Sequence, residues 1–208
     1  MRSRRVSPRT ASWHASVTAV GNPAAVTLAC EDEALGERLR DRLSNPAFRI
    51  YLSDDVAGAE VGGAVKNVLA IACGVVEGRG LGQNARAALI ARGFAEMTRF
   101  GLASGARRET LAGLCGLGDL VLTCSSTASR NFSLGKAIGE GRDAAALMAD
   151  RRTVAEGAHT APVLHRLATE RGIDMPIVAA VAALLDGSLS AGDVVDRLMS
   201  RPPKAETH

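Results

Sequence analysis

The chain has 208 residues, 47% hydrophobic and 23% charged, the balance of an ordinary globular protein with room for one sizeable domain and a piece of another. Its formal net charge of +3 comes from Arg2, Arg4, Arg5 and Arg9, because the 25 basic residues less these four face 22 acidic ones. A nearly neutral body offers no basic face to nucleic acid and no polybasic membrane anchor.

Only 3% of the residues are aromatic, so the core must be small and aliphatic, and Ala, Leu, Val and Gly dominate after residue 55. Cys30, Cys73, Cys115 and Cys124 lie in apolar runs and form no C-x-x-C pair, which reads as buried free thiols in a reducing cytoplasm. The four His residues are not spaced with them as metal ligands. No apolar run is both long and charge-free enough to read as a membrane span, since 60–78 carries Lys66 and Glu77.

Residues 1–16 are rich in Arg and Ser and hold no acid, the composition of a transit peptide. They are short, contain Pro8 and show no amphipathic period, so a disordered lead over 1–20 is the expectation. Residues 24–30 read as a buried strand, and Glu31-Asp32-Glu33 places acids at a helix N-terminus. Leu35, Leu39 and Leu43 give that helix one apolar stripe, Asn45-Pro46 stops it, and 48–52 reads as a second strand. One strand–helix–strand unit cannot bury both faces of a sheet. Residues 21–54 therefore read as the tail end of a larger α/β domain.

Ser53-Asp54-Asp55 marks the junction to helices alone, a domain over 55–201 followed by a loose tail at 202–208. The fold class expected is mostly α, a helical domain behind a strand–helix–strand remnant of a Rossmann-type domain. The run 60–78 is apolar on nearly every side, as a buried central helix is. A loop over 78–84 leads to a second long helix at 85–103. A short helix at 110–115 and a glycine turn at Gly116-Leu117-Gly118 precede another apolar helix ending at Cys124. Ser129 is positioned to cap the next helix, and later helices fit 143–150, 158–171, 177–186 and 190–200.

Three clusters could carry chemistry. Lys66 sits mid-helix among Val61, Ala64, Val65, Val68, Leu69 and Ala70. It is either a snorkelling side chain or a desolvated amine able to act as a general base near neutral pH. Asp119 is either a helix N-cap or a carboxylate that orients Lys66. Ser129-Arg130-Asn131 is either a solvated, capped loop or an anion site built from a guanidinium and a helix N-terminus. Taken together, they suit a small phosphorylated hydroxy compound. A match to a dinucleotide fingerprint, Gly80-x-Gly82-x-x-Ala85, follows a helix where a strand is required, and reads as a helix–helix connection.

Glu60-Val-Gly-Gly-Ala-Val-Lys-Asn-Val-Leu-Ala-Ile-Ala, Asn84-Ala-Arg-Ala-Ala-Leu-Ile-Ala-Arg-Gly, Gly116-Leu-Gly-Asp-Leu-Val-Leu-Thr-Cys and Ser129-Arg-Asn occur in unbroken order. With them the chain resembles the substrate-binding half of the bacterial NAD(P)-dependent glycerol-3-phosphate dehydrogenases, from about residue 21 to 206. The resemblance implies that Lys66 is the catalytic base and that Asp119, Ser129, Arg130 and Asn131 join it in binding substrate. It further implies that Arg130, Val154 and Glu156 contact the cofactor, NAD or NADP.

What the family has and these residues lack is a glycine fingerprint on a first strand and a second substrate-contacting Lys. The expectation is a truncated, cytoplasmic family member impaired in interconverting glycerol 3-phosphate and dihydroxyacetone phosphate, with no metal. The alternative is a non-catalytic helical module used for dimerisation or regulation. An apolar helical domain with an unfinished sheet also suits a homodimer.

Overall fold

The computed structural model describes residues 9–10, 22–149 and 155–199. Strands β1 (Arg9–Thr10), β2 (Ala24–Ala29) and β3 (Phe48–Ser53) form one sheet in that order. β2 and β3 pair in parallel, from Ala24 with Phe48 to Ala29 with Ser53. Helix α1 (Glu33–Leu43) makes the crossover, capped by Asp32, whose carboxylate accepts from the Leu35 N–H at 3.0 Å. Val26, Leu28 and Ile50 point to one face of the sheet and pack with Leu39 of α1. On the other face Ala29 packs against Ala59 and Cys115, while Tyr51 is left 51% exposed.

The strand β1 corrects the reading of 1–20 as disordered throughout. Arg9 pairs with Ala29 and Thr10 with Leu28, antiparallel. The physical reason is the open outer edge of β2, whose backbone groups need partners that a two-stranded unit cannot supply. The rest of 1–20 and the tail at 202–208 lie outside the described residues.

Helix α2 (Val56–Gly78) is the axis of everything that follows. Asp55 caps it, accepting from the Gly58 N–H at 2.8 Å and from the Arg107 N–H at 2.8 Å. Asp54 pairs with the Arg107 guanidinium. The strand–helix junction is thereby tied to Arg107, in the connection that follows α3 (Gly82–Ala103). By length and hydropathy alone α2 would pass as a membrane span, but 78% of its most apolar stretch is buried in the chain's own core, as the sequence reading of a buried central helix has it.

The reversal between α2 and α3 takes only Arg79–Leu81, shorter than the loop expected, because Gly80 and Gly82 adopt φ of +67° and +83°. α3 runs back antiparallel. A β-carbon on Gly93 would lie 2.9 Å from Leu69, and one on Gly101 would lie 3.4 Å from Val61.

In place of one helix at 110–115 there are two pieces. Helix α4 (Arg108–Ala112) is followed by a π-turn at Leu114–Gly118, closed by the Gly118 N–H on the Gly113 carbonyl at 3.1 Å. Helices α5 (Asp119–Cys124), α6 (Arg130–Gly139), α7 (Ala144–Ala149), α8 (Glu156–Glu170), α9 (Pro176–Leu185) and α10 (Ala191–Met199) complete the described chain. Their apolar sides close one core around α2, with Met97, Leu111, Leu120 and Phe132 fully buried.

All four cysteines are free and buried, as expected. The Cys124 thiol is pushed far up by the Cys73 thiol beside it and by burial, so it packs as a neutral group.

Candidate active site

Lys66 lies on α2 one helical turn after Gly62, where the backbone of the π-turn comes in. A β-carbon on Gly62 would collide with the Cys115 carbonyl, and one on Gly116 with the Leu111 carbonyl. Glycine at 62 lets the π-turn reach α2, and glycine at 116 lets it fold back on α4. The π-turn then ends at Asp119 and delivers its carboxylate to α2.

The result is a buried ion pair. Lys66 is 6% exposed and Asp119 2%, and Lys66 Nζ stands 2.8 Å from Asp119 Oδ2. Thr123, one turn further along α5, donates its hydroxyl to Asp119 Oδ1 at 3.2 Å. Ions taken out of water at this depth must be paired and hydrogen-bonded. The structure thus decides between the readings of Lys66: its amine is not snorkelling to solvent. Nor is Asp119 an N-cap; it is the first residue of α5, and its carboxylate faces Lys66.

A second polar group forms beside the first. Ser129 caps α6 as expected, its hydroxyl accepting from the Phe132 N–H at 3.3 Å. Asn131, in the first turn of α6, donates from Nδ2 to Asn67 Oδ1 at 3.0 Å and accepts on Oδ1 from the Gly157 N–H at 2.8 Å. Asn67 Nδ2 donates to the Gly63 carbonyl at 3.2 Å and to Glu156 Oε2 at 3.3 Å. Arg130 joins from the rim. Its side chain is 61% exposed, with a terminal nitrogen 3.9 Å from Glu156 Oε1.

The expected residues thus fall into two groups on α2: Lys66 with Asp119 of α5, and, through Asn67, Asn131 and Arg130 of α6 with Glu156 of α8; Ser129 caps α6 next to Arg130. Val154 lies outside the described residues. Thr123, Asn67 and Gly157 received no role from sequence. Thr123 stands four residues after Asp119, the spacing that puts both on one helix face. Beside Lys66 and Asn67, a β-carbon on Gly63 would meet nothing within 4 Å, and Ala64 is exposed, so α2 presents an open, flat face there.

The geometry along α2 is therefore a buried Lys–Asp pair and, around Asn67, the capped N-terminus of α6 with its exposed arginine. Residues 55–196 match the family described as NAD-dependent glycerol-3-phosphate dehydrogenase C-terminus, and the chain belongs to that family. It is 70% identical over 188 residues to a glycerol-3-phosphate dehydrogenase (NAD(P)+) of Erythrobacter litoralis, covering 90% of this chain and 57% of that protein. The counterpart from Novosphingobium aromaticivorans is 70% identical over 189 residues, 89% of this chain and 56% of the other. The crystal structure of glycerol-3-phosphate dehydrogenase from Coxiella burnetii superposes with a TM-score of 0.88 at 41% identity, over 93% of this chain and 61% of that one. The chain thus spans a little over half the length of the curated relatives it matches.

Proposed function

We propose that this chain provides the substrate side of an enzyme interconverting sn-glycerol 3-phosphate and dihydroxyacetone phosphate, with Lys66 as its acid–base group. The observation that carries the reading is the pairing of buried Lys66 with Asp119 at 2.8 Å. In the oxidising direction the neutral amine takes the C2 hydroxyl proton; in the reducing direction the ammonium returns it to the carbonyl oxygen. Asp119, steadied by Thr123, keeps the amine aimed and balances its charge. Arg130 and the N–H groups at the start of α6 receive the phosphate.

NAD or NADP, when bound, accepts the hydride from C2 and gives it back in reverse. The open face of α2 at Gly63–Ala64 leaves room for a flat ring beside Lys66, and Glu156 and Arg130 at the rim suit polar ends of such a group. Turnover by the 208 residues alone is expected to be low, because their two G-x-G-x-x-A runs, Gly80–Ala85 and Gly139–Ala144, each follow a helix. Free buried thiols support placing the protein in the cytoplasm, where its product would feed glycerophospholipid synthesis.

A second reading, a helical module that associates with another copy or an intact relative, is favoured by a cleft of about 440 Å³ between sheet and π-turn, lined by Tyr51, Leu114 and Cys115 among others. The experiment that separates them is calorimetric binding of glycerol 3-phosphate to the chain and to Lys66→Met, alongside dihydroxyacetone phosphate-dependent NAD(P)H oxidation. Binding that vanishes in the variant supports the substrate site. Equal binding, or none in either, leaves the module.

A further inference from the structure

Among the described residues β3 has a neighbouring strand on one side only. Where it pairs with β2, the Ala24 N–H donates to the Ala47 carbonyl at 2.7 Å and the Cys30 N–H to the Ser53 carbonyl at 2.8 Å. In a parallel ladder alternate residues bond the same neighbour. Arg49, Tyr51 and Ser53 therefore turn their backbone groups to β2, and Phe48, Ile50 and Leu52 turn theirs to the open side. Asn45 closes that side at Phe48, with N–H···O bonds of 3.0 Å in both directions. No described strand meets the outward groups of Ile50 and Leu52. The side chains alternate as well. Arg49, Tyr51 and Ser53 share the cleft face of the sheet, and Tyr51 and Ser53 line the cleft together with Glu109. Arg49 and Glu109 are both exposed. A positive charge thus stands at the start of β3, while at its end Asp54, Asp55 and Glu109 outnumber Arg107 and Arg108.

We propose that β3 pairs with β3 of a second copy of this chain, antiparallel, about a two-fold axis at Tyr51. This register uses both outward-facing residues. Ile50 exchanges N–H···O bonds with Leu52 of the second copy, and Leu52 does so with its Ile50. The reversal of direction sets Arg49 opposite Ser53 of the second copy on the cleft face, within reach of its Glu109, and symmetry repeats the match at the other end. A parallel approach would bring like charges together instead. Tyr51 meets its own counterpart across the axis in the closely spaced, non-bonded position, which gives a use to an aromatic side chain left 51% exposed on the sheet. The pairing holds under either reading of the chain's function, because it takes nothing from Lys66 or Asp119.

The test follows the 208-residue chain by sedimentation velocity, in which wild type is expected to dimerise. Arg49→Glu and Glu109→Arg each set like charges across both ends of the pair and should weaken the dimer about tenfold. Mixing these two variants puts opposite charges back at both ends, so the mixed dimer should regain affinity close to that of wild type. Tyr51→Cys should form a disulfide between copies under mild oxidation, since the new thiols face each other across the axis and the four native cysteines are buried. A dimer that neither charge reversal weakens overturns the pairing, as does a mixture no tighter than its components. If wild type sediments as a monomer, cross-linking of Tyr51→Cys decides. A rate that falls when Arg49→Glu is added upholds the pairing; an unchanged rate, or no cross-link, overturns it.

Discussion

Gly135 of α6 lies so close to Ile71 of α2 that a β-carbon on Gly135 would collide with the Ile71 carbonyl oxygen. One turn on, a β-carbon on Gly139 would stand 2.6 Å from the Val75 carbonyl oxygen, and one turn back Asn131 hydrogen-bonds Asn67. The two helices therefore run parallel and in step, backbone against backbone. This contact, little more than one turn beyond Lys66 on α2, sets where the start of α6 lies.

Gly135→Ala should act as a wedge. The alanine gains helix propensity, roughly 1 kcal/mol. Forcing a methyl group against an immobile carbonyl costs more, about 1–3 kcal/mol or above. Net destabilisation of about 2 kcal/mol, read as a fall in the urea midpoint at unchanged slope, is expected. Gly63→Ala is the matched control, because nothing stands within 4 Å of its β-carbon, and it should be neutral or slightly stabilising. Equal effects of the two would refute the close-packed seam.

The pair Lys66–Asp119 should show the strong non-additivity of buried ions. Lys66→Met or Asp119→Leu alone strands a charge in the core and should cost about 3–5 kcal/mol. The double variant strands neither and should cost clearly less than either single variant. A double-mutant cycle by chemical denaturation measures this; simple additivity would mean the two groups do not depend on each other.

Lys66 was legible in sequence because a charge inside a long apolar run is conspicuous. For Asp119 the sequence offers two readings, an N-cap or a carboxylate that orients Lys66, and cannot choose between them, because Asp119 reaches Lys66 only through the π-turn, which Gly62 lets approach α2. Nothing local to 114–118 encodes that contact. Ser129 could be read from capping chemistry, whereas the tie between Asn131 and Gly157 joins residues 26 apart and belongs to tertiary structure. The helix at 158–171 was placed two residues late because its first turn, Glu156–Gly157, is anchored by other helices and not by a cap of its own. Nothing in the sequence around Glu96 marks it as buried, yet it is 1% exposed.

Asp55 holds the strand–helix junction, and its removal should loosen it. Burial alone would raise its pKa, but hydrogen bonds from the Arg107 and Gly58 N–H groups, with Thr110 and the Arg107 charge, outweigh it and hold the carboxyl below its ordinary 3.8. A depressed carboxyl stabilises above its unfolded pKa and ceases to as pH falls through the folded one. Asp55→Ala should therefore cost about 1–2 kcal/mol at neutral pH through the lost cap alone. The difference from wild type should shrink below pH 3.8, as measured by thermal melts across an acid series. A constant difference would mean the carboxylate charge is irrelevant.

Glu96 should produce the opposite slope. Its carboxylate reaches from α3 to the start of α9, accepting from the Ile177 N–H at 2.8 Å and the Val178 N–H at 3.2 Å. Burial pushes its pKa from 4.5 up to about 7, against those two N–H groups and the charge of Arg99; the charge of Asp174 adds to the rise. Between these two values the folded chain keeps a proton that the unfolded chain has released. Stability from this group is thus full below pH 4.5, falls as pH rises, and levels off above about 7. The whole change is on the order of 3 kcal/mol. Glu96→Gln cannot titrate and loses one acceptor, so it carries a fixed penalty from the N–H left unmatched. Relative to wild type it should gain stability as pH is raised through this window, seen as converging and then crossing melting curves. Parallel curves for the two chains would show that Glu96 titrates alike in the folded and unfolded chain and that burial does not govern its titration.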